Sequence, residues 1–582
     1  MEKKLSYYLN KEKNLQINEN REKLKIAIIG SFTLNGLPEV LKVKCSDIKI
    51  NLEYYLGKYN QYNQEIIDSK SELYKFNPDL TFLILEPRTI LGESFHFISK
   101  LNEKQRENII LEKFNELNNL IKIFKKTINS KLVITNLSIP VYSEFGIFEK
   151  KMCFSLQDII LKINIELENL IKQEESVYIL DYDRFVRKYG EENIFDFKQY
   201  FFGDIKISIK FIPKFADEIM SFIKPVCGRT KKCIVLDLDQ TLWGGIIGED
   251  GYDGIKLGPD TVGRTFVEFQ KTLLGLNNRG ILLAINSKNN FNEAMNVIKN
   301  HPYMILKEEN FASIQINWSD KLSNMYEISK ELNVGLDSMV FFDDDPINRE
   351  LIKKMIPEVL TVDLPNDPAM YVSSLIELND FNVLKITDED IKRNQMYVVE
   401  HKRNELKRET NNLENFLKEL NIQVKIKKAD DFSIPRITQL ILKTNQFNLT
   451  TKRYQIEEIN DLIKNPEILI GYAEVLDKFG DSGITGVFII KKNKTEWKID
   501  TFLLSCRVMG RGIEDFIISY ILNLAKKEGV KIVRGEYIPT PKNKPAEDFL
   551  KKYGFEKNQD FWEFNLENNI KIPEHINVER YE

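Results

Sequence analysis

Asp237 and Asp239 stand two residues apart at the end of an apolar run, KKCIVLDLDQTLWGG. In a strand, side chains two apart point the same way, and the carboxyl end of a strand is where open α/β sheets bind ligands. Two carboxylates held together repel one another and call for a cation. Alone, such a pair reads as an acidic turn. About 50 residues on, the run GILLAIN leads to Ser287, whose hydroxyl suits a phosphate oxygen. Lys321, in INWSDK, offers a fixed positive charge able to screen a nucleophile and a phosphate together. SMVFFDDDP then sets Asp343 and Asp344 at the end of another apolar run, where they complete an oxygen-ligand site for Mg²⁺. Singly, these are a turn serine, a solvated lysine and a surface acidic loop. In this order, each at a predicted strand end, they point to phosphoryl transfer.

The elements that must position them follow from the apolar pattern. CIVLDLD, GILLAINSK and MVFFDDDP alternate with helical stretches, as in a unit built on a parallel sheet. Only a flap-sized segment, WGGIIGEDGYDGIKLG, and one helix separate Asp237 from Ser287, and about 34 residues separate Ser287 from Lys321. Neither gap holds a sizeable cap domain, and an uncapped site suits a phosphate carried on, or delivered to, a macromolecule. Upstream, KLKIAIIGSFTL, LTFLILEP, KLVITNLSIP and SVYILDYDRF alternate with helices and predict another α/β unit, and a third mixes GVFII, WKIDTFLLS and VKIVRGEYI with helices. A capping box at Thr387 and Asp390 opens a charged, helix-like connector. The expected domains are 1–226, 227–380, a connector over 381–420, and 421–582.

The chain has 582 residues, 42% of them hydrophobic, which is enough for several cores. Its net charge of −4 gives no overall basic field, so neither nucleic acid nor an anionic membrane is the expected partner. The N-terminus MEKKLSYYLNKEKN lacks the apolar core of a signal peptide, and no later run approaches a membrane span, so a cytoplasmic protein is expected. Five scattered cysteines, Cys45, Cys153, Cys227, Cys233 and Cys506, suggest neither disulfides nor zinc.

The ordered motifs resemble the haloacid dehalogenase superfamily, which implies a Rossmann-like fold with a minimal cap. By that resemblance Asp237 is the nucleophile, Asp239 the general acid and base, Ser287 and Lys321 complete the catalytic set, and Asp237, Asp239, Asp343 and Asp344 serve the metal. Thr241, Trp243, Gly244 and Gly245 fall at the phosphate and flap. The longer strings CIVLDLDQTLWGGIIGEDG, VFFDDDPINRE, LPNDPAMY, KTNQFNLTTKRY and CRVMGRGIEDF are similar to the FkbH-like subgroup. That resemblance implies an enzyme taking a glyceryl group from 1,3-bisphosphoglycerate, removing its phosphate and loading the group on an acyl carrier protein. It departs at Asn286, where many relatives carry a cysteine. The alternatives are a phosphatase of a sugar or macromolecular phosphate, and a scaffold that only binds carrier proteins.

The N-terminal unit resembles an SGNH hydrolase, with Gly30-Ser31 at the nucleophile position but no DxxH histidine near its end; of His96, His301, His401 and His575, none is in place. A structural or carrier-docking role is expected for it. The C-terminal unit resembles a GNAT acyltransferase, with Arg507, Gly510, Arg511 and Gly512 opening a helix whose N–H groups suit the pyrophosphate of coenzyme A, or the arm of phosphopantetheine. Many such enzymes carry an acid tyrosine where this chain has Leu550. KTNQFNLTTKRY, Lys443 to Tyr454, gathers amides, hydroxyls and bases and is expected to form a functional surface.

Overall fold

Runs such as IAIIG, LTFLI, CIVL and MVFF are apolar on both faces, and such strands need helices on either side. In the computed structural model, which describes residues 3–15, 21–386, 403, 412–540, 543–558 and 561–578, they form two wholly parallel sheets flanked by helices. The chain is α/β. It divides into two compact units, 1–230 with 376–385, and 231–375 with 386–582.

The first unit is built on β1 (Glu22–Gly30), β2 (Ile50–Leu56), β3 (Leu80–Ile84), β4 (Lys131–Thr135) and β5 (Val177–Leu180), in the order β2-β1-β3-β4-β5. Alternate residues of β1 enter opposite layers. Ile26 and Ile28 pack with the helices Leu37–Asp47 and Ile212–Val226, while Ala27 and Ile29 pack with Glu103–Thr127 and Leu156–Ile171. The segment 376–385 belongs to this unit. Asp380 pairs with Lys224 at 2.7 Å, Asn379 donates to the Asp217 carbonyl at 3.1 Å, and Phe381 is buried.

In the second unit β6 (Cys233–Leu236), β7 (Leu282–Ser287), β8 (Phe311–Ile316), β9 (Met339–Phe342) and β10 (Leu360–Thr361) run parallel in the order β10-β9-β6-β7-β8. The first strand therefore lies between β9 and β7, at the point where the order reverses and ligands bind. Register fixes what meets there. Leu236 is level with Phe342 on one side and with Ile285 on the other. Asp237 and Asp343 are thus the next rung of one ladder, and the Asp237 N–H donates to the Phe342 carbonyl at 3.0 Å.

The same unit carries a mostly antiparallel sheet of β11 (Ile422–Lys428), β12 (Phe447–Asn448), β13 (Ile468–Asp477), β14 (Gly480–Lys492), β15 (Glu496–Leu504), β16 (Ile532–Gly535), β17 (Glu556–Asn558), β18 (Phe561–Asn565) and β19 (Ile576–Val578). β15 and β16 pair in parallel only over Glu496–Lys498. At the far end of β15 its edge is taken by β12, with Phe447 opposite Leu504 and Asn448 opposite Leu503. The Leu449 N–H donates to the Phe502 carbonyl, and the Leu449 carbonyl accepts from Ile538 at 2.8 Å. The capping box Thr387–Asp390 and most of the expected connector lie outside the described residues. Among the described residues, no helix is long and apolar enough to cross a membrane.

Candidate active site

Two strand ends of the Rossmann-like sheet, those of β6 and β9, converge on one lysine. Asp320 caps the helix Lys321–Leu332, accepting from the Ser323 N–H at 2.8 Å, and so fixes Lys321 at its first position. The Lys321 Nζ lies 2.8 Å from Asp237 Oδ2 and 2.6 Å from Asp343 Oδ2. Asp343 and Lys321 are 0% and 2% exposed, so the charges meet away from water. Carboxylate oxygens of Asp237, Asp343 and Asp344 all lie within 4.8 Å of one another. Two of the three carboxylates are paired with the lysine, and the third, Asp344, lies beside them. Burial alone would lower the Lys321 pKa, but the charges of Asp237 and Asp343 reverse this and raise it. The surplus negative charge falls on the acidic pair: burial, then the charge of Asp237, pushes Asp344 up to about 6. This is the electrostatic condition of a divalent-cation site, and the oxygen donors suit Mg²⁺.

The third aspartate of the run serves structure. Asp345 caps the helix Pro346–Met355 through the Ile347 N–H, and its own N–H donates to Asp343 Oδ1 at 2.9 Å. Arg349, buried below the loop, donates to the carbonyls of Asp343 and Asp344 and so holds the backbone of both.

Asp239 stands outside the carboxylate group that shares Lys321. Its Oδ1 accepts from the Trp243 indole N–H at 2.9 Å and from the Ile247 N–H at 3.1 Å, and its Oδ2 accepts from the Asn289 amide at 2.9 Å. The same amide nitrogen donates to the Ser287 hydroxyl at 3.1 Å. Placed with the metal set by sequence, the Asp239 side chain belongs with Ser287 and the flap. Asn289 and Arg349 were not singled out from sequence. Asn289 is an ordinary turn amide when read in line, and Arg349 sits in VFFDDDPINRE without a spacing that marks it.

The flap positions act mainly by packing. Thr241 is buried, with its hydroxyl 3.5 Å from Asp344, and Trp243 is fully buried. A side chain at Gly244 would come within 2.8 Å of Phe266, and Gly245 has φ +94 and would meet Asp250. Gly244 also pairs through its backbone with Lys256, which closes the flap as a small ribbon. Asn286, in the departure from the family pattern, is 0% exposed; its amide donates to the Lys321 carbonyl at 2.9 Å and its oxygen accepts from Asn324 at 3.1 Å. It anchors the backbone of the lysine loop. Cys233 is buried in β6 with its thiol pushed up to about 12 by burial.

Residues 25–224 match the FkbH N-terminal domain. Among solved structures, the N-terminal part of protein BF1531 from Bacteroides fragilis, which contains a phosphatase domain and was crystallised with Mg, is 29% identical with a TM-score of 0.61. The match covers 66% of this chain and 100% of that one. The PaiA N-acetyltransferase of Thermoplasma acidophilum, complexed with coenzyme A, is 16% identical over 24% of this chain and 98% of its own, with a TM-score of 0.20. The ribosomal-protein-S18-alanine N-acetyltransferase of Escherichia coli is 9% identical over 25% of this chain and 94% of its own, also with a TM-score of 0.20. No curated protein matches the sequence.

Of the residues singled out in the flanking regions, Ser31, Arg511 and Leu550 are buried. Ser31 is 0% exposed; its hydroxyl oxygen accepts from the Glu86 N–H at 3.1 Å, and no histidine among the described residues is hydrogen-bonded to it. Glu86 is itself buried between Arg88, at 2.8 Å, and Lys206, at 3.0 Å. In the Arg507–Gly512 loop, Gly510 and Gly512 have φ +73 and +76, while Arg511 is buried, with its guanidinium 3.4 Å from Asp477 and bonded to the Arg507 carbonyl. Glu514 and Asp515 occupy the first turn of the helix that follows. Leu550 packs on Gly535 in the core.

In the KTNQFNLTTKRY segment Phe447, Asn448, Leu449 and Thr450 are buried, while Lys443, Gln446 and Arg453 are exposed. Arg453 bonds the carbonyls of Ile441 and Thr444, at the end of the helix Ile434–Lys443, and Asn448 donates to Thr444 as well. Burial works against ionisation of Asp500, but hydrogen bonds from Lys452, Tyr454 and Lys491 hold its pKa down at about 2.

Proposed function

We propose that this chain is a Mg²⁺-dependent phosphoryl-transfer enzyme that uses Asp237 as nucleophile. The observation that carries the reading is the buried Lys321 ammonium between Asp237 and Asp343, with Asp344 in the same group. The 29% identical phosphatase-domain structure with Mg supports it. Asp237, Asp343 and Asp344 would hold the ion, which supplies charge neutralisation for the transferring phosphoryl group. Lys321, 2.8 Å away, orients the Asp237 carboxylate. An Asp237 oxygen attacks phosphorus, the bond to the leaving oxygen breaks, and Asp239 gives that oxygen a proton. Asp239 then takes a proton from the water that cleaves the aspartyl-phosphate, releasing phosphate and restoring Asp237. Ser287 holds a non-bridging phosphate oxygen.

The finer reading, supported by the FkbH N-terminal domain match, is a glyceryl transferase and phosphatase. It takes the three-carbon acyl group of 1,3-bisphosphoglycerate, removes its phosphate and places the group on the phosphopantetheine thiol of an acyl carrier protein. The N-terminal unit is then an SGNH-hydrolase-like domain without hydrolase activity, consistent with buried Ser31, and the C-terminal part is GNAT-like. A plain phosphatase is favoured by one observation, Asn286: the position expected to carry a thiol holds an amide with both ends engaged. The deciding experiment is intact mass spectrometry of a phosphopantetheinylated carrier protein incubated with the enzyme, Mg²⁺ and 1,3-bisphosphoglycerate, beside an Asp237→Asn control. A glyceryl-sized gain only with the unaltered enzyme establishes the transferase. Phosphate release without that gain leaves the phosphatase, and no release at all defeats both.

A further inference from the structure

The best-defined hydrogen bonds of the site that the proposed reaction does not yet use are those of Asn289. It lies two residues past the end of β7, 5% exposed, in the turn that leads to the helix Phe291–Asn300. Its amide nitrogen has two hydrogens, and two acceptors stand within reach: Asp239 Oδ2 at 2.9 Å and Ser287 Oγ at 3.1 Å. We infer that Asn289 is a positioning residue for phosphoryl transfer, fixing the proton-handling carboxylate and the phosphate-holding hydroxyl against one another through a single nitrogen. This rests on the reading proposed above.

The direction of the bonds gives the inference its content. An amide NH₂ can only donate, so Ser287 must accept from it. Its own hydroxyl hydrogen is thereby left to point elsewhere, as a donor toward a phosphate oxygen. Asp239 receives the other hydrogen on Oδ2, while Trp243 and Ile247 supply Oδ1 from the flap side. The carboxylate is held from two sides by different strand ends, β6 through the flap and β7 through Asn289. An aspartate at position 289 has nearly the same shape and cannot do this. It would accept the Ser287 hydrogen, taking it from the phosphate, and would set a second negative charge against Asp239. The carboxylates that would bind the ion are not touched by Asn289: Asp237 and Asp343 are bonded to Lys321.

The test compares wild type, Asn289→Ala and Asn289→Asp. Trp243 shares Asp239 with Asn289, so its indole N–H resonance in a ¹H–¹⁵N spectrum reports the clamp without any turnover. The chain has four tryptophans, and the other three serve as controls on the fold. Both variants are expected to move the Trp243 resonance and leave the other three in place. With Mg²⁺ and p-nitrophenyl phosphate, Asn289→Ala should lose about 10–100-fold in kcat, and Asn289→Asp more, with Mg²⁺ affinity by calorimetry kept within about twofold. The pH profile of Asn289→Asp should also be displaced. An unmoved Trp243 resonance, or a kcat for both variants within about twofold of wild type, overturns the inference. Wild type inert with phosphate esters and Mg²⁺ defeats the phosphoryl-transfer reading and with it the catalytic part of the inference. A Trp243 shift in that case leaves Asn289 as a structural clamp only.

Discussion

At the scale of single residues, the site is an imbalance of charge held in place by hydrogen bonds. Asp237 gains its role from Lys321, at 2.8 Å and buried, so Asp237→Asn should abolish phosphate release while the circular dichroism spectrum is retained. Turnover in that variant would rule out the nucleophile. Asp344 carries a second expectation. Its folded pKa, about 6, is above the ordinary carboxylate value, so the metal-free folded protein binds this proton more tightly than the unfolded chain does. The resulting stability is present below the unfolded pKa and is lost as pH rises through about 6. Mg²⁺ competes for the same oxygens, and its stabilising effect should therefore be greater above pH about 7 than near pH 5. A gain in melting temperature that is flat across that range would show that Asp344 is not at the ion. The sequence made Asp237, Ser287, Asp343 and Asp344 legible because each closes or follows an apolar run, and strand ends are readable from such runs; Lys321, which opens a helix, was legible only from its place in the order of motifs. It could not show that the Asp239 carboxylate would be turned from the acidic cluster to Trp243 and Asn289, since that depends on how the flap closes.

Elements explain why a few local changes should have large effects. The flap stays thin because Gly244 lets Phe266 approach, with only 2.8 Å left for a side chain. Gly244→Ala must push the ring or the ribbon aside and should cost about 1–3 kcal/mol of stability, read by chemical denaturation, with a loss of activity larger than the loss of fold. β12 is a stronger case. It is two residues long and sits in a stretch so polar that its sequence reads as a surface loop, yet Phe447 is buried against Phe502 and Phe549. Apolar periodicity cannot reveal so short an insertion; only the pairing partner, Leu503–Leu504, defines it. Because β12 and Leu449 bridge β15 to the backbone at Ile538, the space between the diverging strands is filled by the chain itself. Phe447→Ala should destabilise the second unit by about 3–5 kcal/mol. An unchanged denaturation midpoint in that variant would show that β12 is not held by Phe447.

Over the whole molecule, the fold class was legible and the path of the chain was not. Alternating apolar runs announced the two parallel sheets, because buried parallel strands must be apolar on both faces. The return of residues 376–385 to the first unit was illegible, since it depends on Phe381, Asn379 and Asp380 finding places on the helix Ile212–Val226 and beside it. Phe381→Ala should lower the melting temperature of the first unit and leave Mg²⁺ affinity unchanged, and a coupled loss of Mg²⁺ affinity would show that the metal site depends on this segment. This return also orders events in time. A ribosome that has finished residue 230 has not yet made the last piece of the first unit, which emerges roughly 150 residues later. At synthesis rates of about 5–20 residues per second, the unit waits roughly 8–30 seconds with the surface meant for Phe381 uncovered. Nascent chains halted before residue 376 should accordingly be more open to protease and to chaperones than those halted beyond residue 385.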